Sequence, residues 1–373
     1  MELAFLYNGV YPFMKGGVEK RIFELGKRLS KNYDCDVTWY CMKLWEGKDE
    51  MVIDGIRMKA ICFYKPFYKN RRRSITQAIF FGIFCSKLIN EGFELIDVQN
   101  FPYFHCFTSK LTTLLKNQKF ILTWHEYWGE YWLSYLGYPG YFGRFIEYLT
   151  TKLSGNNVAV SEFTKKKLEA RRIKAKVIPN GIDWKVIQRV RKDREECDVI
   201  YVGRLIKEKQ VDLLLKAVAL LKKEGIKVKV KIIGDGYERR KLEKYAKENK
   251  LDVSFLGFLE RQTEVYSELK SAKVFVLPSL REGFGISVLE ALACKLPCLV
   301  INARENAAKY LIREGYNGFA VEDSPISMAE KIQLLLSDSE LRKRLGKNAL
   351  RFSKRYDWDE VAREYYNYCK SIA

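Results

Sequence analysis

The chain has 373 residues, 47% of them hydrophobic, and a formal net charge of +20 at pH 7. That length exceeds one ordinary α/β layer and fits two domains of roughly 180 residues, each able to bury its own core. The basic residues are spread over both halves and follow no nucleic-acid module pattern, so phosphorylated small molecules and an anionic membrane surface rank above nucleic acid as partners.

Residues 3–7 read as a buried opening strand, followed by a turn with adjacent glycines, Gly16 and Gly17, and a helix over 18–29. Glycines before a helix allow close backbone approach beside free N–H groups, although a tight turn alone would also use them. The next strand is 36–41. Asp34 and Asp36 before it have the look of a metal-binding Asp-x-Asp pair, but they sit where turn chemistry alone favours Asp. From Gly55 to Asn90 there is no acidic residue, while Arg57, Lys59, Lys65, Lys69, Arg71, Arg72, Arg73 and Lys87 are interleaved with aromatics and lead into an apolar helix-like run over 75–89. Such a stretch suits an anionic bilayer face, each cation near the surface contributing about 1 kcal/mol. The competing reading is a solvated basic loop before a core helix.

Strands at 95–98 and 120–123 enclose a helix, and Trp124, His125 and Glu126 follow the second of them, at the edge where open α/β sheets place ligands. Residues 127–148 are dense in Tyr, Trp and Phe. Some of these belong to a core, and those nearest His125 would form a wall for a sugar ring or lipid chain. Strand 158–160, a helix over 162–170 capped by Ser161, and 177–178 complete the first half, which ends at the turn Pro179–Asp183. Residues 184–196 read as a linker.

The β/α alternation then restarts with a strand at 198–202, a helix over 210–222, a strand at 228–233 and Gly234-Asp-Gly236 opening another helix. Further strands follow at 253–256, 274–277 and 298–301. Gly203 and Arg204 close the first of these strands and Lys209 begins the helix after it. An Arg fork and a Lys point charge at the carboxyl edge of a sheet suit two phosphate groups. Between strand 274–277 and a helix starting at Ile286 lies the sequence Glu282-Gly283-Phe284-Gly285, where a glycine-broken turn meets the unpartnered N–H groups of a helix, a seat for phosphate. Glu282 and Glu290 flank it, and carboxylates accept hydrogen bonds from the neighbouring hydroxyls of a sugar. Phosphate and polyol side by side indicate a nucleotide sugar. The competing reading is a glycine turn with two solvated glutamates. The tail over 357–372 has helical spacing and large aromatics, as expected of a segment that packs.

Two histidines leave little room for a His-based metal site. Nine cysteines, an odd number without zinc-ribbon spacing, no signal peptide and no apolar run of about 18 residues point to a reducing cytoplasm.

The segments GGVEKRIFELGKRL, WHE, AVSEFTKKKL, IPNGID, YVGRLIKEKQVDLLL, IIGDG, FLGF and SLREGFGISVLEALAC occur in one order that resembles family 4 of the retaining, nucleotide-sugar-dependent glycosyltransferases, across essentially the whole chain. The resemblance implies a GT-B fold: two doubly wound Rossmann-like domains facing each other across a cleft. It places an acceptor domain at 1–183, a linker at 184–196, a donor domain at 197–356 and a helix at 357–373 returning to the first domain. It gives Arg204 and Lys209 the donor diphosphate, Glu290 the ribose, Glu282 the sugar hydroxyls, and the Gly283, Phe284, Gly285 and Ile286 backbone the sugar and phosphate. Gly16 and Gly17 match its N-terminal loop and His125 its active-site histidine. One departure stands out. After strand 298–301 the family usually has Gly-Gly and then Glu, where this chain has Asn306, Ala307 and Tyr310.

The expectation is a transferase that moves a sugar from a nucleotide donor to an acceptor hydroxyl on a glycan, glycolipid or lipid-linked sugar, without a metal or other cofactor and with the cytoplasmic membrane face as a place of work. His125, Glu282, Arg204 and Lys209 are its catalytic candidates. Competing classes are a nucleotide-sugar epimerase or hydrolase of the same fold, and a basic nucleic-acid-binding protein, whose affinity would fall steeply with salt.

Overall fold

A computed structural model describes residues 1–69, 72–193 and 195–373, with only the backbone of Tyr68, Lys69 and Arg72. Arg71, at the centre of the expected basic segment, lies outside the described residues. The chain divides into two compact units, Met1–Asn180 with Trp358–Ala373, and Gly181–Asp357.

The first unit runs β1 (Glu2–Leu6), α1 (Gly17–Asn32), β2 (Asp36–Lys43), β3 (Glu50–Ile53), β4 (Ile56–Phe63), β5 (Tyr68–Lys69), β6 (Arg72–Arg73), α2 (Ile75–Phe84), a 3-10 turn Cys85–Asn90, β7 (Leu95–Gln99), α3 (Phe104–Leu115), β8 (Lys119–Trp124), α4 (Tyr131–Leu136), α5 (Gly140–Thr150), β9 (Asn157–Ala159), α6 (Glu162–Glu169) and β10 (Lys176–Val177). Among the described residues its main sheet has eight strands in the order β10-β9-β8-β7-β1-β2-β4-β3, all parallel except β3 against β4. Helices cover both faces of such a sheet, which is why residues 3–6 of β1 and 120–122 of β8 read as unbroken apolar runs rather than alternating ones. The strand order reverses between β1 and β7, and at such a reversal the loops leaving the carboxyl ends open a crevice.

The second unit runs α7 (Trp184–Arg189), β11 (Cys197–Val202), a 3-10 turn Lys207–Lys209, α8 (Val211–Lys223), β12 (Val230–Ile233), α9 (Arg239–Glu248), β13 (Val253–Gly257), α10 (Gln262–Lys270), β14 (Ala272–Leu277), α11 (Ile286–Ala293), β15 (Cys298–Ile301), a 3-10 turn Ala307–Leu311, β16 (Gly318–Val321), α12 (Pro325–Ser337) and α13 (Ser339–Ser353). Its parallel sheet has the order β13-β12-β11-β14-β15-β16, reversing between β11 and β14. Each unit therefore has the expected doubly wound α/β fold.

The last helix, α14 (Trp358–Lys370), belongs to the first unit. Trp358, Val361, Ala362, Tyr365 and Cys369 recur at helical spacing, and all are buried in the core that also holds Phe5, Ile22 and Leu25. Tyr365 stacks on Phe5 and Tyr366 on Tyr33.

Several elements differ from the sequence expectation. The hairpin β3–β4 lies where only a basic stretch was read; Asp54 and Gly55 at its turn both have positive φ, +49° and +82°. Two consecutive positive φ angles match the twist of flanking antiparallel strands, so Asp-Gly between apolar residues was the available signal. The run expected as a linker holds α7, with Ile187 buried in the second unit's core. The apolar helix closes at Phe84 rather than at 89 and continues as 3-10. β16, α12 and α13 had no counterpart in the sequence reading, although Ser324 caps α12 before a proline and Asp338 caps α13.

Candidate functional site

In the second unit, two loops leave the adjacent strands β11 and β14 on either side of the strand-order reversal. The first carries Gly203, Arg204 and, at the end of the 3-10 turn, Lys209. The second carries Glu282 to Gly285 and enters α11 at Ile286. They are tied together by the Leu280 N–H donating to the Glu208 carbonyl at 3.1 Å and by an ion pair between Lys209 Nζ and Glu282 Oε1, both side chains largely buried.

The first loop is pinned from below by the glycine pair after β12. The Leu205 N–H donates to Asp235 O at 2.8 Å and the Glu238 N–H to Leu205 O at 3.0 Å. Gly234 has φ +125°, and a Cβ there would lie 1.9 Å from Gly203 O. The Tyr201 hydroxyl donates to Arg204 O at 2.9 Å, fixing the backbone while the Arg204 side chain stays exposed. Among the described residues that guanidinium has no hydrogen-bond or ion-pair partner.

Gly285 has φ +96°, and a Cβ there would meet Ala308 Cβ at 2.7 Å, so both conformation and packing require glycine. The departure from the family pattern falls on this contact. Asn306 is fully buried and its side-chain amide donates to Ser279 O and Ile301 O at 3.0 and 2.8 Å, while its Oδ1 accepts from the Ala308 N–H. The Glu282 N–H donates to Glu305 O, and the Ala307 N–H to Glu282 O. Glu305 and Ala307 thus clamp the Glu282 backbone, with buried Asn306 between them bracing the loop, whereas Tyr310 is exposed.

Glu290 lies one turn into α11, buried, with Oε1 accepting from Gln262 Nε2 at 2.9 Å and from the Tyr266 hydroxyl at 3.2 Å. Burial first, and the Glu290 charge second, push the Tyr266 hydroxyl far above its ordinary pKa, so it stays a donor. The structure therefore brings Lys209 and Glu282 into direct contact, sets Arg204 and the Gly283–Ile286 backbone on the same two loops, and holds Glu290 from α10. Two cations and the N–H groups at the start of α11 thus lie on two adjacent loops at the carboxyl edge of the sheet, an arrangement able to bind an anion.

In the first unit, the loop after β1 ends at Gly16 and α1 begins at Gly17, both exposed. Gly16 is extended (φ −97°), and what approaches it is the chain's own Glu19 carboxylate: a Cβ would lie 2.1 Å from Glu19 Oε2. Burial raises the Glu19 pKa despite its backbone hydrogen bond.

His125 follows β8. Its Nε2 is 2.7 Å from Gln99 Oε1, and its N–H donates to Asn100 Oδ1 at 3.2 Å. Desolvation, then the nearby Arg21 charge, lower its pKa to about 3. Beneath it, Gln99 Nε2 lies 3.2 Å from Asp97 Oδ1 and 3.5 Å from Asp97 O. Asp97 also accepts from Thr123 Oγ1 at 2.6 Å and from the Tyr365 hydroxyl of α14 at 2.7 Å. Burial raises the Asp97 pKa against these donors. Arg21, fully buried, donates to Pro179 O and Asn180 Oδ1, and burial lowers its pKa to about 10. The loop past His125 is held by buried Glu147, which accepts from the Tyr103 hydroxyl and from the N–H groups of Trp128 and Gly129 at 2.7–2.8 Å. Trp128 stacks on Phe101 and packs on Trp132, so this part of the aromatic stretch is built into a wall.

Sequence reasoning missed Arg21, Asp97, Gln99, Glu147 and Tyr365. Asp97 and Gln99 stood in an otherwise apolar strand and Arg21 at the Leu25–Leu29 spacing of an apolar face; a polar group in a core position signals a built network.

Residues 15–185 match the family model described as Glycosyltransferase Family 4, and residues 183–352 the one described as Glycosyl transferases group 1. An uncharacterized glycosyltransferase of Methanocaldococcus jannaschii is 33% identical over 58% of this chain and 59% of its own length. A GalNAc-alpha-(1->4)-GalNAc-alpha-(1->3)-diNAcBac-PP-undecaprenol alpha-1,4-N-acetyl-D-galactosaminyltransferase of Campylobacter jejuni is 34% identical over 45% of this chain and 46% of its own length. The matches thus span about half to three fifths of these relatives. Among solved structures, the sucrose-phosphate synthase of Thermosynechococcus elongatus is similar over 100% of this chain and 98% of its own, with TM-score 0.82 at 17% identity. The Anabaena protein HepE, in complex with UDP and glucose, covers both chains fully with TM-score 0.75, also at 17% identity.

Proposed function

The chain belongs to the GT-B glycosyltransferases that the family 4 and group 1 models describe, and we propose that it transfers a sugar from a nucleotide-sugar donor to an acceptor hydroxyl with retention at the anomeric carbon. The observation that carries this reading is the pairing of Lys209 with Glu282 on the two loops flanking the strand-order reversal, beside the exposed Arg204 and the start of α11. Cleaving a nucleotide sugar makes the departing diphosphate more negative as the sugar turns oxocarbenium-like. Preorganised cations and N–H groups aimed at that charge stabilise the transition state, each worth about 10² to 10³ in rate. In this reading Lys209 exchanges Glu282 for a phosphate oxygen when donor binds, and Glu282 is released to accept from the sugar hydroxyls. Glu290 takes the ribose hydroxyls. These cations supply the positive charge at the diphosphate, so the step requires no divalent metal. Attack comes from the face the diphosphate leaves, with a phosphate oxygen taking the acceptor proton.

HepE, a protein of this fold, binds UDP and glucose, which supports a nucleotide-sugar donor. The Campylobacter relative acts on a glycan linked to undecaprenyl diphosphate, which supports a glycan or lipid-linked acceptor. A bilayer-facing acceptor would accord with the exposed row Ile75, Ile79 and Ile83 on α2, next to Lys65, whose Nζ lies 4.0 Å from the centre of the Phe80 ring.

The test begins with a thermal-shift screen of nucleotide sugars, followed by transfer to sugar and lipid-linked acceptors and determination of the product anomer. Transfer with retention is expected, with Arg204→Ala folded but about 10² to 10³ slower. Donor consumption that releases free sugar equally with and without acceptor would make it a hydrolase instead.

A further inference from the structure

At the carboxyl edge of the first unit's sheet, Tyr7 follows β1, Phe101 follows β7 and Trp128 follows β8, the first two on either side of the strand-order reversal. Arg73 reaches them from β6. Its Nη2 donates to the Tyr7 hydroxyl at 3.2 Å, and its Cζ lies 5.3 Å from the centre of the Phe67 ring and 5.5 Å from that of Phe101. Phe101 stacks on Trp128 at 5.5 Å, and Tyr131 and Tyr135 stand edge-on to Trp128, each at 5.2 Å. The Tyr135 hydroxyl also accepts from the Arg73 N–H at 3.4 Å. Tyr7 and Phe67 are buried beneath, whereas Arg73, Phe101, Trp128, Tyr131 and Tyr135 are all half-buried. One cation and four half-open rings are thus gathered where open α/β sheets take their ligands, entirely within the first unit.

Two chemistries meet in this cluster. Aromatic faces take the apolar side of a pyranose ring. A guanidinium is charged at every working pH, and rings packed on it hold its plane, so that its N–H fork presents two parallel donors along one edge, the match for a carboxylate or a phosphate. We infer that the cluster binds a sugar carrying an acidic group, the pyranose lying on the aromatic rings and its carboxylate or phosphate accepting from Arg73. That this sugar is the acceptor of transfer rests on the function proposed above; its binding does not. Were Arg73 only a brace between Phe67 and Phe101, replacing it would lower stability and leave the choice among sugars unchanged.

The experiment uses the full chain labelled with fluorotryptophan, the Trp128 ¹⁹F resonance being assigned with Trp128→Phe. Glucose, galactose and mannose are titrated beside their uronates and their 6-phosphates. At least one acidic sugar should shift the Trp128 resonance and bind about ten-fold or more tightly than its neutral parent, because hydrogen bonds to an ionised partner are about twice as strong as neutral ones. Preference for uronates alone would identify the acidic group as a carboxylate, and preference for phosphates alone as a phosphate. In Arg73→Gln, with its melting temperature within a few degrees of wild type, the preference should vanish; in Arg204→Ala, which alters the second unit, it should persist. Equal binding of acidic and neutral sugars by wild type, or no Trp128 shift with any acidic sugar, overturns the inference and needs no variant to fold. So does a preference that survives Arg73→Gln, disappears in Arg204→Ala or is matched by inorganic phosphate alone. Should wild type shift Trp128 as expected yet transfer sugar to no acceptor, the transferase reading fails and the binding site stands. Should it transfer to neutral and acidic acceptors alike, the acceptor role falls and the transferase reading stands.

Discussion

Lys209 and Glu282 neutralise each other in the free chain, and that makes their separate roles measurable. Lys209→Ala removes a phosphate ligand and should lower kcat about 10² to 10³-fold, with weaker binding of the nucleoside diphosphate in calorimetry. Glu282→Gln leaves Lys209 unpaired, so the same titration should show diphosphate bound at least as tightly as by wild type, while transfer falls; equal weakening by both substitutions would count against the exchange of partners. A second residue-scale consequence comes from the histidines. Burial lowers the pKa of His105 to about 4, and desolvation lowers that of His125 to about 3. Both folded values lie below the unfolded value near 6.5, so the unfolded chain takes up protons first as pH falls. Their contribution is complete above about pH 6.5 and is lost as pH drops towards 4. Between pH 7 and 5 this amounts to about 2 kcal/mol for fully buried His105, and less for partly exposed His125. Raised carboxylates such as Asp97 and Glu147 act in the opposite direction. The check is therefore a difference: urea unfolding of His105→Asn should lose less stability than wild type between pH 7 and 5. At this scale the site was partly legible. Arg204, Lys209 and Glu282 could be read because charges after apolar strands have few structural reasons to be there. Asp97, Gln99 and Tyr365 could not be joined, because strand β7 and helix α14 are separated by most of the chain.

At the scale of the element, periodicity and length were enough for the long parallel strands and for α1, α8 and α14, whose apolar stripes face a core. Periodicity failed for α2. Its sequence is apolar all round, and the structure buries Gln77, Ala78, Phe81 and Gly82 while exposing Ile75, Ile79 and Ile83. A second exposed row follows on α5, where Tyr141, Phe142, Phe145 and Tyr148 are at least half open to solvent or nearly so, beside Tyr138 at its entrance. Among the described residues no helix is long and apolar enough to cross a membrane. The bilayer-facing acceptor proposed above would set this isoleucine row on an anionic surface, with Lys65 over the Phe80 ring and the exposed Lys87 over the Phe84 ring as its cations. The chain should therefore sediment with vesicles rich in anionic lipid and not with neutral ones. Removing both cations as Lys65→Ala with Lys87→Ala should weaken partitioning by about 2 kcal/mol, some 30-fold. Ile79→Glu with Ile83→Glu should abolish sedimentation while leaving transfer to a water-soluble acceptor intact. Equal behaviour of all these proteins on anionic vesicles would remove the membrane face from the reading.

At the scale of the whole molecule, the two units are not equivalent pieces of chain. The second is continuous from Gly181 to Asp357, whereas the first needs the final sixteen residues to complete its core. α14 brings fully buried Trp358, Ala362 and Tyr365 against Phe5, Ile22 and Leu25, its Asp359 accepts from Arg28 Nε at 2.7 Å, and its Tyr365 is the donor that fixes Asp97 under the histidine. A core assembled from segments so far apart in sequence cannot form until both have been made, and losing one leaves apolar and polar groups alike unpaired. Residues 181–357 expressed alone should unfold cooperatively in urea. Residues 1–180 alone should lack a cooperative transition and recover one when a peptide spanning 357–373 is added in excess, because a ligand that binds only the folded state stabilises it by mass action. In the intact chain, Trp358→Ala empties a fully buried site and should cost about 3–5 kcal/mol. That loss should appear in the transition of the first unit and leave that of the second unmoved, since the substituted side chain touches only one of the two cores. A cooperative fold in 1–180 without the peptide would mean that α14 covers a core already complete, and its contacts through Asp359 and Tyr365 would then fasten it there without being needed for folding.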